Sequence, residues 1–459
     1  MKSELVEKGT RFHMIIDNTV NQLKQTTKET HNIKVSLIMA LLSVATITAA
    51  QMLSIKLMIF LAISLYLVTL LTAKDDLLFP LLLFFLPWST ILKVSPTAIS
   101  MASIGNVLIF LKITYWQKKI NSYLLVSVLG LAIVTLISKV FHGYSISSSY
   151  YMFFIMLISF PVIYSSIGEK TRFNVCVHFF SIGIFSASII AQLFGTHPGI
   201  AQYIVLFEDE YNGINRLCGF YGDPNFYAAQ ITTALGGLFL ILTYEKNVFM
   251  DIILTIAVMG CGLISISKSF LICITIILAC WFIFLMWHKN SKLLRAVAIG
   301  VVIIIVALLS GGLDNIIAQY LTRFSATNNV TSLTTGRSKL WIEYIDHFKA
   351  NLPDFLIGQG YTSVFSGVHK GSHNTIIQCI YQFGFFGALF FLCWLFSWKR
   401  RFQKARIPFW NRILWIVACF GMWFGLDMLF FDDFFINIIL FKVGCDYIKE
   451  NQEYLEKRG

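Results

Sequence analysis

Charge is scarce in this chain. Only 13% of its 459 residues are Asp, Glu, Lys or Arg, against 57% hydrophobic ones. Soluble domains carry about 25% charged residues, so the formal charge of +12 is not the signature of a nucleic-acid binder; where the basic residues lie matters more. Usable thiols are equally few. Of nine cysteines all but Cys218 fall within apolar runs, and one cysteine outside them cannot form an intramolecular disulfide there. There is no CxxC, no His/Cys pair at zinc spacing and no glycine-rich phosphate loop, so a metal or nucleotide cofactor has no support and the expectation is none. Energy for any group transfer has to arrive in a substrate that is already activated. The residues before Lys34 lack a long apolar core followed by a small-residue cleavage site, so the expectation is that no signal peptide is removed.

What is present is hydrophobic length. Apolar runs of spanning or near-spanning length fall at about 34–53, 57–73, 77–92, 97–114, 121–141, 149–167, 174–195, 224–243, 248–266, 269–286, 296–311, 374–397, 409–426 and 434–446. They predict an all-α polytopic membrane protein with roughly 12–14 transmembrane helices. Basic residues recur in every second loop: Lys74, Lys118 and Lys119, Lys170 and Arg172, Lys246, Lys289 with Lys292 and Arg295, and Lys399, Arg400, Arg401, Lys404 and Arg406. With those loops inside, residues 1–33 and 447–459 are cytoplasmic tails and 34–446 form one membrane domain. The two long loops, about 196–223 and 312–373, are then extracytoplasmic.

The second long loop holds the most polar stretch in the chain, Thr334 to Asn374. Trp341, Tyr344, Ile345 and Phe348 mark one helical face, with Lys339, Glu343, Asp346 and Lys349 opposite. Thr334 or Thr335 is the expected cap, and Pro353 stops the helix near Asn351. A second amphipathic helix is expected around Ile316, Ile317, Tyr320, Leu321 and Phe324, with Gln319 and Arg323 beside the stripe. Arg337 falls in a first helical turn, where a cation is disfavoured unless an anion joins it. His373 sits at the start of the run that follows, a place that lowers an imidazole's pKa and suits it to act as a general base; capping is the plainer role. His369 and Asn374 lie close in sequence.

The first long loop ends in Arg216-Leu217-Cys218-Gly219-Phe220-Tyr221-Gly222-Asp223-Pro224-Asn225. Asp223 is a good N-cap and Pro224 suits the first helical position. Arg216 can either bond loop carbonyls or hold a phosphate with its planar fork. Lys268, in the short turn Ser265-Ile266-Ser267-Lys268-Ser269, is either a snorkelling residue of a tight hairpin or a contact for an anionic head group. Glu208-Asp209-Glu210 reads as a solvated run, Glu343 and His347 as a surface pair, and Asp427, Asp432 and Asp433 as a wet turn rather than a cation site.

Several segments, taken in order, resemble the O-antigen ligase and polymerase superfamily: Arg216 to Asn225, Gly336-Arg337-Ser338-Lys339-Leu340-Trp341, Leu356-Ile357-Gly358-Gln359-Gly360, His373-Asn374, and Gly384 with Gly387. The resemblance implies glycosyl transfer from undecaprenyl-diphosphate-linked oligosaccharides on the outer face of the bacterial cytoplasmic membrane, without nucleotide sugar or metal. It makes His373 the base that deprotonates the acceptor hydroxyl, and Arg216 and Arg337 diphosphate contacts. Asn374, Asn225 and Asp223 are supporting residues. Where the family has arginine after serine this chain has Lys268, which keeps the charge and loses the bidentate fork. Displacement of this kind inverts the anomeric centre. The partners implied are the lipid-linked donor, the bilayer, a chain-length regulator and a flippase.

Ligase and polymerase share these motifs, so the acceptor decides. The loop 312–373 carries Arg323, Arg337, Lys339, Lys349 and Lys370 against Asp314, Glu343, Asp346 and Asp354, little surplus for an anionic lipid A core. Polymerase is therefore the expectation, ligase the alternative. A lipid-linked oligosaccharide flippase is a third possibility, disfavoured because the middles of most runs hold Leu, Ile, Phe and Val rather than ionisable residues. Cysteine introduced at Ser363 should react with an impermeant maleimide in intact cells and cysteine at Lys404 should not; the reverse pattern would overturn the orientation.

Overall fold

A chain this apolar has to satisfy its backbone internally wherever it meets lipid, and helices do so within one segment. The computed structural model describes residues 29–93, 99–116, 122–143, 148–167, 171–203, 207–209, 214–221, 223–245, 248–287, 300, 314–325, 334, 336–360, 371–397, 406–429 and 431–456. The span expected at 296–311, apart from residue 300, His369 and the basic clusters at 289–295 and 399–404 lie outside them. The described helices are α1 Glu29–Leu53, α2 Lys56–Thr72, α3 Asp75–Phe85, α4 Met101–Trp116, α5 Ser122–His142, α6 Ser148–Ile167, α7 Phe173–Phe194 and the short α8 Pro198–Ala201. After them come α9 Pro224–Tyr244, α10 Phe249–Ile264, α11 Lys268–Trp287, α12 Asp314–Ser325, α13 Arg337–Ala350, α14 Leu352–Ile357, α15 Thr375–Ser397, α16 Phe409–Phe420 and α17 Asp432–Glu456.

The all-α expectation holds, with one small addition. Strands β1 Phe207–Asp209 and β2 Ile214–Arg216 pair antiparallel, Phe207 opposite Arg216. Three-residue strands are too short for an alternating pattern to register in sequence. Six described helices, α1, α5, α7, α9, α11 and α15, are long and apolar enough to cross a membrane, and five shorter apolar helices accompany them. Leu57, Val126 and Val140 are among many large apolar side chains left exposed, an exterior suited to lipid. The protein is a multi-pass membrane protein.

Helix α9 is the axis of the bundle. Nearly every residue from Tyr227 to Leu242 is buried, and it packs against α7, α10, α11 and α16. Its start is set as the sequence indicates: the Asp223 carboxylate accepts the Asn225 N–H at 2.6 Å and Pro224 occupies the first position. The amphipathic α12 is present as expected. α13 begins after Gly336, at φ +83°, while the Thr334 hydroxyl accepts the Ser338 N–H at 3.2 Å. Pro353 sits in the first turn of the separate helix α14.

His347 Nε2 lies 3.0 Å from Asp354 Oδ2, and His142 Nε2 from α5 lies 3.4 Å from the other oxygen. The chain turns at Asn351–Leu352 and brings α14 back beside the last turn of α13, which carries the buried Asp354 carboxylate to both rings. One expectation changes here: Asp433 does not belong to a wet turn. It is buried and accepts the Tyr221 hydroxyl at 2.6 Å and the Gln230 amide at 2.7 Å, because α17 starts against the segment that leads into α9. The Asp432 side chain lies outside the description.

α15 is broken inside its apolar length. Gly384 adopts φ +66°, ψ −179°, which interrupts the hydrogen-bond ladder. The carbonyls of Tyr381 and Gln382 are taken instead by the N–H groups of Gln359 at 2.7 Å and Gly360 at 3.0 Å, and Ser138 of α5 donates to the Gly358 carbonyl at 2.7 Å. Gly358, at φ +74°, packs so closely that a Cβ there would stand 2.5 Å from both the Gln382 carbonyl oxygen and the Gly384 nitrogen. Gly358→Val should therefore lower stability by about 3 kcal/mol or more, whereas Ser138→Ala should cost about 1 kcal/mol. Thermal melts of the detergent-solubilised protein check the order, and equal melting points would refute it.

Candidate active site

The polar groups gather where α9, α11 and α15 begin. α10 and α11 are joined by a turn of three residues in which Ile266 sits at φ +47°, an unfavourable conformation for a β-branched residue. Neighbouring arginines hold it there. Arg216, only 3% exposed, donates from Nε to the Ser265 carbonyl at 3.1 Å and from Nη2 to Asn225 Oδ1 at 3.3 Å. The same Asn225 oxygen accepts the Ser267 hydroxyl at 2.8 Å. Arg323 reaches in from α12 and donates to the Ile266 carbonyl. Lys268 lies 5.3 Å from the centre of the Phe324 ring, a cation–π contact.

Arg337, at the first turn of α13, is drawn into this region. Burial pulls its pKa down, the Asp223 carboxylate opposes that shift, and Arg323 adds to it. Arg323 and Arg337, from two helices of the second long loop, thus share one field that includes Asp223. The Tyr320 hydroxyl is pushed up by burial, against the opposing charges of Arg216 and Arg323. Arg337 also packs on Gly425, where a Cβ would lie 2.9 Å from Nη1 and 3.5 Å from the Ser269 hydroxyl. Any larger residue at 425 would displace the guanidinium.

His373 comes to the same turn by another route. Asn374 caps α15, its Oδ1 accepting the N–H groups of Ile376 and Ile377 at 3.0 and 3.1 Å, and its amide donates to the Phe424 carbonyl at 3.4 Å. Trp341 of α13 donates to the Ser372 carbonyl at 3.0 Å. Between these anchors His373 takes φ +48° and stays partly exposed. Phe424 and Gly425 are therefore the hinge point that joins the His373 segment to Arg337. Arg216, Asn225, Ser267 and Lys268 stand around the α10–α11 turn, joined to Arg337 through Asp223 and Arg323.

The plain role of several residues is now visible. Asp223 and Asn374 are caps, Asn225 is a clasp between Arg216 and Ser267, and Arg216 bonds the Ser265 carbonyl and the Asn225 amide oxygen. Arg323, Ser269 and Gly425 are additions to the site. Arg323 stands beside the α12 stripe in sequence, but nothing in its spacing marks it as inward-facing. Among the described residues, no three His, Cys, Asp or Glu side chains gather as a metal-ligand set.

The architecture and the site define a multi-pass membrane protein that gathers arginines and a histidine at one end of its bundle. Residues 252–392, from α10 through α15, match the family model described as O-antigen ligase. That match supports the O-antigen ligase and polymerase superfamily for this stretch, and with it a general enzyme class related to glycosyl transfer. Among curated proteins none matches the chain. Arg216, Asp223 and Asn225 precede the matched stretch and Gly425 follows it, so the candidate site draws on more of the chain than the match.

The carboxyl of Asp427 is pushed up to about 6 from 3.8 by burial, opposed by the Leu429 N–H that it accepts. A raised folded-state value means that this group favours folding below about pH 4 and that the contribution is lost as pH rises through about 6. The melting temperature of the wild type minus that of Asp427→Asn should therefore fall between pH 4 and about 6 and level off above. A difference that is flat over this window would refute the burial of that carboxyl.

Proposed function

We propose that the chain is a glycosyltransferase that polymerises undecaprenyl-diphosphate-linked repeat units into a bacterial surface polysaccharide, on the outer face of the cytoplasmic membrane. One observation carries this most: Arg337 and the His373–Asn374 segment meet at the same turn, 424–425. Glycosyl transfer from a diphosphate needs cations for the charge that develops on the leaving group and a base for the attacking hydroxyl.

In this reading Arg337 and Arg216 hold the diphosphate, with Lys268 as a point charge beside them. His373 accepts the proton of an acceptor sugar hydroxyl as its oxygen bonds to the anomeric carbon of the donor. The bond from that carbon to the phosphate oxygen breaks, its electron pair leaves on the lipid diphosphate, and attack from the opposite face inverts the centre. The hydrogen bonds of Trp341 and Asn374 support the role of His373 by fixing its backbone before substrate arrives. No metal or nucleotide enters the proposed step.

A second reading, ligation of the glycan to a lipid A core, is favoured by the description of the matched family. The near balance of charge in the loop 312–373 favours polymerisation. Purified protein supplied with one lipid-linked repeat unit should produce a ladder of longer lipid-linked chains, and His373→Ala, correctly inserted, should abolish it. Product only when a lipid A core is added would establish ligation instead. Near-normal turnover by His373→Ala would remove the general base.

A further inference from the structure

A second gathering of charge lies at the other end of the bundle. A cavity of about 260 Å³ is bordered by Tyr164 of α6, by Ile407 just before α16, and by Phe441, Lys442, Asp446 and Lys449 of α17. α17 starts where Asp433 meets Tyr221, and Lys442 to Lys449 follow about 14–24 Å further along it at about 1.5 Å per residue. The neighbouring helices agree. Leu395, whose carbonyl accepts from Lys442, is in the last turn of α15, which starts beside His373, and α16 runs from the cavity toward the turn that holds Gly425. The cavity therefore takes no part in the candidate active site.

The charges around it are held in place. Lys442 Nζ donates to the Leu395 carbonyl at 3.3 Å and lies 5.9 Å from the centre of the Tyr164 ring. The Tyr164 hydroxyl donates to Asp446 Oδ2 at 3.0 Å. Arg412, in the first turn of α16, donates to the Ile407 carbonyl at 3.2 Å, so its guanidinium stands at the rim. The charges of Asp446, Lys449, Lys442 and Arg412 all reach the Cys445 thiol, which also lines the cavity. A lysine at the carbonyl end of a helix is an ordinary contact. Lys449 and Arg412 bring charge that this contact does not use, and among these groups one carboxylate stands against three cations.

The surplus of positive charge and its setting select the ligand. The space is smaller than the ~300–1,000 Å³ of pockets that enclose a whole drug-sized molecule, so it suits a head group whose remainder lies outside. Phe396, next to Leu395, is 73% exposed and Phe409, two residues past Ile407, is 63% exposed, an apolar border that acyl chains can cover. A free phosphate gains nothing from that border. A basic cavity between helices at a membrane surface has the form of an anionic head-group site, and Asp446 offers an acceptor to the hydroxyls of a glycerol head.

We infer that this cavity binds the phosphate of an anionic glycerophospholipid, from the leaflet opposite the candidate active site, with Lys442 and Lys449 as its cations and the acyl chains against Phe396 and Phe409. A lipid seated there ties α6, α16 and α17 together. The inference stands apart from glycosyl transfer, since none of these residues enters the proposed reaction.

Native mass spectrometry of the full-length protein tests this, with phosphatidylglycerol or phosphatidylcholine of the same acyl chains titrated into the detergent. One phosphatidylglycerol should bind about tenfold more tightly than phosphatidylcholine. Lys442→Gln combined with Lys449→Gln keeps a donor for the Leu395 carbonyl and should weaken that binding about thirtyfold, the loss of two cations. Lys442→Arg with Lys449→Arg should retain it, and Lys74→Gln, at the exposed start of α3 outside the cavity, should change it by about twofold at most. Where the double glutamine variant does not fold, Lys449→Gln alone should weaken binding about fivefold. Equal affinity for the two lipids, no loss in the glutamine variants, or an equal loss from Lys74→Gln would each overturn the inference. Displacement of phosphatidylglycerol by inorganic phosphate at the lipid's own concentration would show a site for the free anion and overturn it as well.

Discussion

A helix interrupted in an apolar setting leaves carbonyl groups with no water to take them, and the site end of this protein is built on the way α15 makes good that loss. The orphaned carbonyls of Tyr381 and Gln382 receive N–H groups from Gln359 and Gly360. Backbone can meet backbone at that distance only because residues 358 and 384 have no side chain. That junction anchors α14, and Asp354, set between His142 and His347, ties α14 to α5 and α13. From α13, Trp341 reaches the Ser372 carbonyl and Arg337 reaches Gly425. Arg337 and His373 are thus held in place through the junction of residues 358–360 with the break in α15.

The α10–α11 turn is the complementary device. A β-branched residue in the left-handed region is costly by about 1–3 kcal/mol and persists only when its surroundings over-determine it. Here Arg216 and Arg323 take successive carbonyls, those of Ser265 and Ile266. His373 carries a left-handed backbone between two anchored neighbours in the same manner. Both irregular conformations occur at the end of the bundle where the ionisable groups collect.

Local chemistry was legible in the sequence and distant meetings were not. Asp223-Pro224 announces the start of α9, Pro353 the end of α13, and the stripe at Ile316, Tyr320 and Phe324 announces α12, because caps, imino acids and helical periodicity act within a few residues. The segments holding Arg216, Arg337 and His373 could be picked out for the same reason. That Gly358 would meet Gly384, that His142 would meet Asp354, and that Asp433 would be sealed beneath Tyr221 depend on packing between segments far apart, for which spacing carries no signal. Arg323 shows the limit most clearly. It looks like one more polar residue beside an amphipathic stripe, and only the position of the α10–α11 turn makes it a neighbour of Arg337. Gly425 is mute in sequence as well, since its use is the room it leaves for a guanidinium.

In the proposed reaction, where Arg216 would hold the lipid diphosphate, its bonds have a consequence for how quickly that anion would leave. Its guanidinium already has oxygen partners on Ser265 and Asn225, so it is ordered and stripped of water beforehand, and an arriving anion has little reorganisation to drive. The same partners remain close by while the anion is bound. When it departs, the fork closes again on the carbonyl and the amide rather than standing buried and unmatched, a state that costs several kcal/mol in a protein interior. An arginine held in this way resists becoming a trap: it limits the depth of the well in which a spent anion would sit, and so favours repeated turnover over tight retention.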